Sequence, residues 1–392
     1  MLTSVAFIFL MGLSLGYLTR KIKLPSLIGM LMTGIILGPY ALNALYPQLL
    51  DISADLRQIA LVIILTRAGL ALDIKDLKQV GRPAILMSFI PASFEIAGII
   101  IFAPKFLGIS ILEASIMGTV LAAVSPAVIV PKMLALIENR WGTKAKIPQL
   151  IMAGASVDDV FVIVLFTVFT GIATGDNFSA MSIINIPFAV VNGIILGLLA
   201  GWTLSKWFKK FHMRDSTKVI IILSISFLFV ALEHSLKGTF PLSGLLAVMC
   251  MGSGILKFHD ILASRLSQKF GKLWVAAEII LFVLVGATVD INFAIEAGLP
   301  ALGVIFMGLL FRMAGVYFSL LGTPLKAKER LFCAIAYLPK ATVQAAIASI
   351  PLAMGLPCGN IVLTVAVLSI LITAPLGAIG IDTTYKKLLK QE

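Results

Sequence analysis

The chain has 392 residues, of which 59% are hydrophobic and only 13% charged, and its mean hydropathy is +1.05. A soluble domain would be about a quarter charged, so the composition excludes an ordinary water-soluble protein and points to a polytopic α-helical membrane protein. The formal charge of +12 does not mark a nucleic-acid binder, because the basic residues fall in short loops between apolar runs rather than on one patch.

In chain order, predicted spans fall near 3–18, 24–45, 56–72, 83–103, 111–131, 148–170, 187–205, 218–236, 240–256, 272–289, 298–320, 331–349 and 361–380. Each is long enough to cross or nearly cross a bilayer core of about 30 Å. The first turns apolar with no basic stretch ahead of it, which predicts a retained span rather than a cleaved signal. Cys250, Cys333 and Cys358 lack metal-site or disulfide spacing. Loops after the odd-numbered spans, with the tail, hold 25 of the 31 Lys and Arg residues, whereas the alternate loops hold only Arg57, Lys105 and Lys237. That asymmetry predicts an outside N-terminus and a cytoplasmic C-terminus, in a cell (inner) membrane.

Each span resembles the one seven later. Leu24-Pro25-Ser26-Leu27-Ile28-Gly29 matches Phe240-Pro241-Leu242-Ser243-Gly244, and Arg67-Ala68-Gly69-Leu70-Ala71-Leu72-Asp73 matches Val285-Gly286-Ala287-Thr288-Val289-Asp290. Val124-Ser125-Pro126 in the fifth span answers Leu338-Pro339-Lys340 in the twelfth. An odd offset inverts membrane orientation, so 1–186 and 218–392 are expected to be inverted-topology repeats joined by a linker helix within 187–217. Pro126 and Pro339 interrupt their spans, because proline lacks the backbone donor and crowds the preceding turn. Paired interruptions in the two halves point to a binding site.

The sixth span contains Gly154-Ala155-Ser156-Val157-Asp158-Asp159-Val160, with two adjacent carboxylates in an apolar run. At about 1.5 Å per residue, Asp158, Asp159, Lys340, Ser125, Glu95 and Arg312 share one depth near the bilayer centre. Ionisable groups are costly there, which makes them functional candidates, and carboxylate oxygens suit small hard cations and protons. Neighbouring helical residues point about 100° apart, so one aspartate is expected to be the primary ligand and the other to face a neighbour. Glu95 is expected to pair with Arg312, which cannot shed its proton. Lys340 is expected to pair with Asp158 or Asp159 and to release its proton when a cation displaces it.

Gly154-Ala155-Ser156-Val157-Asp158-Asp159-Val160 resembles the double-aspartate signature of the second branch of the monovalent cation:proton antiporter superfamily. Ala123 to Pro131, and the longer string Leu338-Pro339-Lys340-Ala341-Thr342-Val343-Gln344-Ala345-Ala346-Ile347, resemble the NHA-type sodium/proton antiporters. The resemblance implies an all-α fold of about thirteen transmembrane helices in two inverted repeats, with two crossed broken helices. It also implies a homodimer whose core moves like an elevator. It would make Asp159 the cation ligand, Asp158 its partner and Ser125 a further oxygen, with Glu95 and Arg312 a salt-bridged pair. Electrogenic relatives commonly carry a lysine where this chain has Arg312, and NHA-type members tend to carry a glutamate where it has Thr288.

The expectation is a non-enzymatic exchange of Na⁺ or Li⁺ for H⁺, with no cofactor, no nucleic acid, and membrane lipid as the surroundings. Potassium/proton exchange is the nearest alternative, and sodium-coupled symport of an organic anion a more distant one. An intramembrane aspartyl protease would need its acids on separate helices, and no repeated filter-like loop suggests a channel.

Overall fold

The computed structural model describes residues 1–71, 81–174, 180–211, 213–236, 240–290 and 298–391, and these are helical throughout with short connections. In chain order the helices are α1 (Leu2–Lys21), α2 (Ser26–Leu37), α3 (Pro47–Asp51), α4 (Ser53–Ala71), α5 (Arg82–Met87), α6 (Ile90–Leu107), α7 (Ile111–Ala122) and α8 (Pro126–Glu138). They continue as α9 (Ile147–Ala173), α10 (Ala180–Lys210), α11 (Asp215–Ser235), α12 (Gly244–Phe258), α13 (Asp260–Ala287), α14 (Gly298–Ser319), α15 (Ala327–Ala336), α16 (Thr342–Ile347), α17 (Ile350–Ala353) and α18 (Gly359–Leu388). Every predicted span contains helix. Among the described residues, eight stretches are long and apolar enough to cross a membrane by themselves, and Ser26–Leu37, Gly244–Phe258 and Thr342–Ala353 are shorter apolar helices. The architecture is that of an all-α polytopic membrane protein.

Local sequence explains the ends that matter for the site. Gly108 stops α6 in a left-handed conformation (φ 66°), open to glycine at little cost. Two residues on, Ser110 and Glu113 form a reciprocal capping box, Ser110 N donating to Glu113 Oε2 at 2.8 Å and Glu113 N to Ser110 Oγ at 3.3 Å. This starts α7. Hydroxyls inside the helices return to their own backbone, as Ser88 does to the Ala84 carbonyl at 2.9 Å, since lipid offers no other partner.

The chain forms two compact units. One comprises Met1–Ala54, Lys75–Thr170 and Ile279–Glu392, and the other Asp55–Ile74 and Gly171–Glu278. These units group segments by proximity and run across the halves 1–186 and 218–392, which sequence defines by topology. In the smaller unit α10 packs along α12, and α12 starts where Glu233 of α11 accepts from Gly244 N at 2.9 Å. In the larger unit α14 packs along α6. Phe102 meets Phe311 edge-on with ring centroids 6.0 Å apart, and Phe94 meets Phe318 at 5.7 Å. These aromatic pairs lie along the same two helices as the Arg312–Glu95 pair. Around them lies a buried core that includes Met87, Val124, Ile129, Met133, Ile151, Ala155, Phe332, Tyr337 and Ile381.

Candidate functional site

Two interrupted helices build the site. The fifth span runs as α7, opens at residues 123–125 and resumes as α8. The twelfth runs as α15, opens at 337–341 and resumes as α16. Pro126 occupies the first turn of α8, where a missing N–H costs nothing. The openings are buried, so their polar backbone groups need partners, and the two segments supply one another. Ser125 N donates to the Pro339 carbonyl at 2.8 Å, and Gln344 Nε2 donates to the Ala123 carbonyl at 2.7 Å. Gln344 Oε1 accepts from Ala341 N at 2.8 Å, and Thr373 Oγ1 of α18 accepts from Lys340 N at 2.9 Å. The broken helices therefore cross, each closing the other's gap.

Arg312, fully buried on α14, holds this crossing together. Its Nε donates to the Tyr337 carbonyl at 2.7 Å and its Nη1 to the Ala122 carbonyl. Those carbonyls end α15 and α7, so one guanidinium answers the negative ends of both first halves. Nη1 also donates to Glu95 Oε2 at 2.9 Å, and Nη2 to Asp158 Oδ2 at 3.0 Å. A planar group with five donors can do this; an ammonium with three cannot. Asp158 Oδ2 accepts a further bond from Val124 N at 2.8 Å.

Lys340 does not meet either aspartate, contrary to the expectation from shared depth. Its Nζ lies 2.5 Å from Glu95 Oε2. Depth fixes only one coordinate. The crossing turns Lys340 toward α6, where Glu95 serves it and Arg312 together. Asp158, Arg312, Glu95 and Lys340 thus form one connected chain of alternating charge.

Asp159 stands outside that chain and makes no ion pair among the described residues. Both aspartates are buried, Asp158 completely and Asp159 nearly so. Four buried oxygens at the crossing lack a hydrogen-bond partner among the described residues: Asp159 Oδ1, Asp158 Oδ1, Ser125 Oγ and Tyr337 Oη. Ser125 precedes α8 and would ordinarily use its hydroxyl as a cap, yet it makes no such bond. Buried hard oxygens held without partners suit a small alkali cation.

The structure thus brings Asp158, Asp159, Ser125, Glu95, Arg312, Lys340, Pro126 and Pro339 into one compact unit. Sequence reading gave no role to Gln344, Thr373 or Tyr337. A signal existed for Gln344, a lone amide in an apolar string, and for Tyr337, which abuts the break. Their partners depend on the crossing and were not legible.

The family model described as "Sodium/hydrogen exchanger, transmembrane" matches residues 5–387. "Sodium/hydrogen exchanger 9B2" of Homo sapiens is 33% identical over 383 residues, covering 94% of this chain and 70% of its own length. The protein of the same name in Xenopus tropicalis is 32% identical over 395 residues, covering 96% of this chain and 72% of its own. Among solved structures, the sodium proton antiporter MjNhaP1 from Methanocaldococcus jannaschii at pH 8 superposes with a TM-score of 0.86. That match covers 99% of this chain and 98% of the other at 21% identity.

Proposed function

The chain belongs to the sodium/hydrogen exchanger family, and from that premise we propose that it exchanges Na⁺ for H⁺ across a membrane at Asp159. One observation carries the reading: among the described residues, Asp159 is the buried acid without an ion-pair partner where two broken helices cross. Of the ionised groups at the crossing, Asp158, Glu95 and Asp159 contribute three negative charges, and Arg312 and Lys340 two positive ones. The balance is −1. One alkali cation or one proton on Asp159 brings it to zero.

Competition and coupling follow from that count. Both ligands need the same carboxylate, so each excludes the other. An uncompensated charge in hydrocarbon costs several kcal/mol or more, so the empty ionised site stays where it is, and the sodium-bound or protonated site moves. Asp158 is engaged by Arg312 and Val124 through Oδ2, which leaves Oδ1, together with Ser125 Oγ, to contribute oxygens to the cation. Lys340 stays with Glu95 and is not displaced by the arriving ion.

The motion is an elevator-type shift of the helices carrying the site, within a homodimer. The protein lies in the cell membrane with its N-terminus outside, a reading supported by the skew of loop Lys and Arg residues. Li⁺ is a second substrate by the same oxygen chemistry. In proteoliposomes, a Na⁺ gradient imposed on the protein should move protons, and Asp159→Asn should abolish that movement. Retained exchange in Asp159→Asn would overturn the assignment. A scan of Li⁺, Na⁺ and K⁺ separates sodium from potassium exchange.

A further inference from the structure

We propose that the Tyr337 hydroxyl is a fourth oxygen of the cation site, beside Ser125 Oγ and the Oδ1 atoms of Asp158 and Asp159. The assignment deepens the exchange reading and rests on it. Tyr337 is the residue at which α15 stops, and its side chain is fully buried. Its Oη has no hydrogen-bond partner among the described residues. A buried phenol ordinarily finds one, so a rigid phenol oxygen left bare at the helix break calls for a ligand.

The surroundings say which ligand. Arg312 Nε fixes the Tyr337 carbonyl at 2.7 Å, and the guanidinium carbon lies 5.4 Å from the ring centroid, in cation–π range. The same guanidinium holds Asp158 Oδ2 at 3.0 Å. Ring and carboxylate are therefore anchored on one group. From there the phenol reaches α9 at Gly154, where a Cβ would overlap Oη. Gly154 precedes Asp158 by one helical turn, and helical side chains lean back over the turn before them. The Asp158 carboxyl and the Tyr337 hydroxyl thus share one patch of α9.

A phenol suits this position chemically. It offers an oxygen lone pair without adding charge, so the single uncompensated negative charge that couples Na⁺ to H⁺ is preserved. A ring clamped by Arg312 also gives its oxygen a fixed reach, so its loss should alter which alkali cation fits best. Gly154 is the counterpart of that choice, because any larger residue would push the hydroxyl away from Asp158.

Tyr337→Phe removes the oxygen and keeps the ring. In proteoliposomes it should raise the half-saturating Na⁺ concentration about tenfold, more than it lowers the maximal rate, and should change the Li⁺ to Na⁺ preference. In detergent, the Na⁺-dependent rise in Tm should shrink, while Tm without Na⁺ stays level or increases, because a bare buried hydroxyl has gone. Gly154→Ala should shift half-saturation the same way. Unchanged half-saturation and an unchanged Na⁺-dependent Tm rise in Tyr337→Phe would overturn the proposal. So would a loss confined to the Na⁺-free Tm and the maximal rate, which would mark a merely structural role. Wild-type vesicles that exchange no alkali cation would sink the exchange reading itself, a result distinct from both.

Discussion

Arg312 meets two helix ends and two carboxylates. Arg312→Lys keeps the charge and loses the fork, leaving buried carbonyls without donors. It should cost about 3 kcal/mol or more and lower the Tm of the purified protein, although a charge-only view expects little change. Glu95→Gln should be comparably damaging, because Arg312 and Lys340 then share no acid. Adding Lys340→Met to Glu95→Gln removes the stranded ammonium, so the double variant should melt higher than Glu95→Gln alone. If the two effects simply add, the connected network is wrong. By contrast Lys132 and Asp382, whose side chains are 31% and 45% exposed, form a bridge worth about 0–1 kcal/mol, and Asp382→Asn should leave Tm nearly unchanged.

At the scale of elements, the functional unit is the pair of openings rather than any intact helix. Gln344 binds both strands of the crossing, donating to Ala123 and accepting from Ala341. Gln344→Leu preserves volume and apolarity, which a helix-propensity argument would tolerate. It should nevertheless cost about 2–3 kcal/mol, since buried backbone groups on both broken helices lose their partners. Thermal melting and exchange rate should fall together. The connection between α12 and α13 carries His259, which holds its proton less readily than a free histidine. Burial is the main cause, followed by Lys209; Asp260 opposes it, and Lys218 and Arg265 add to it. The unfolded chain then binds the proton more readily than the folded one, so stability declines as pH falls through about 6.5. His259 is only partly buried, so the effect is small. His259→Gln should flatten that slope in Tm between pH 7.5 and 5.5 and leave the pH profile of exchange intact, because His259 belongs to the smaller unit and not to the unit that holds the aspartates.

Across the whole molecule, the charge count determines what a transport cycle can carry. On the proposed reading, with one uncompensated acid, the sodium-loaded and protonated forms would have equal charge, so one Na⁺ would exchange for one H⁺ without net current. A Na⁺ concentration jump on a solid-supported membrane should give almost no steady charge displacement while pH-sensitive dye in vesicles reports exchange. A sustained Na⁺-dependent current would mean that Lys340 or Asp158 also changes protonation. Half-saturating Na⁺ should fall by up to about tenfold per pH unit wherever the proton occupies the site.

The sequence by itself determined that this chain is an all-α membrane protein, where two of its helices break, and which charged side chains fall within its apolar runs. Those properties follow from hydropathy and from the missing donor of proline, and both act locally along the chain. They led to Asp158 and Asp159 without reference to a fold. Only the tertiary structure decided the pairing. Depth is one coordinate, and charges at equal depth still differ in direction. The crossing of the two openings sent Lys340 to Glu95, gave Asp158 to Arg312, and left Asp159 without an ion pair among the described residues. It also supplied Gln344 and Tyr337, because the demand of buried carbonyls and carboxylates for partners is met by whatever the fold brings near, however far apart in the chain.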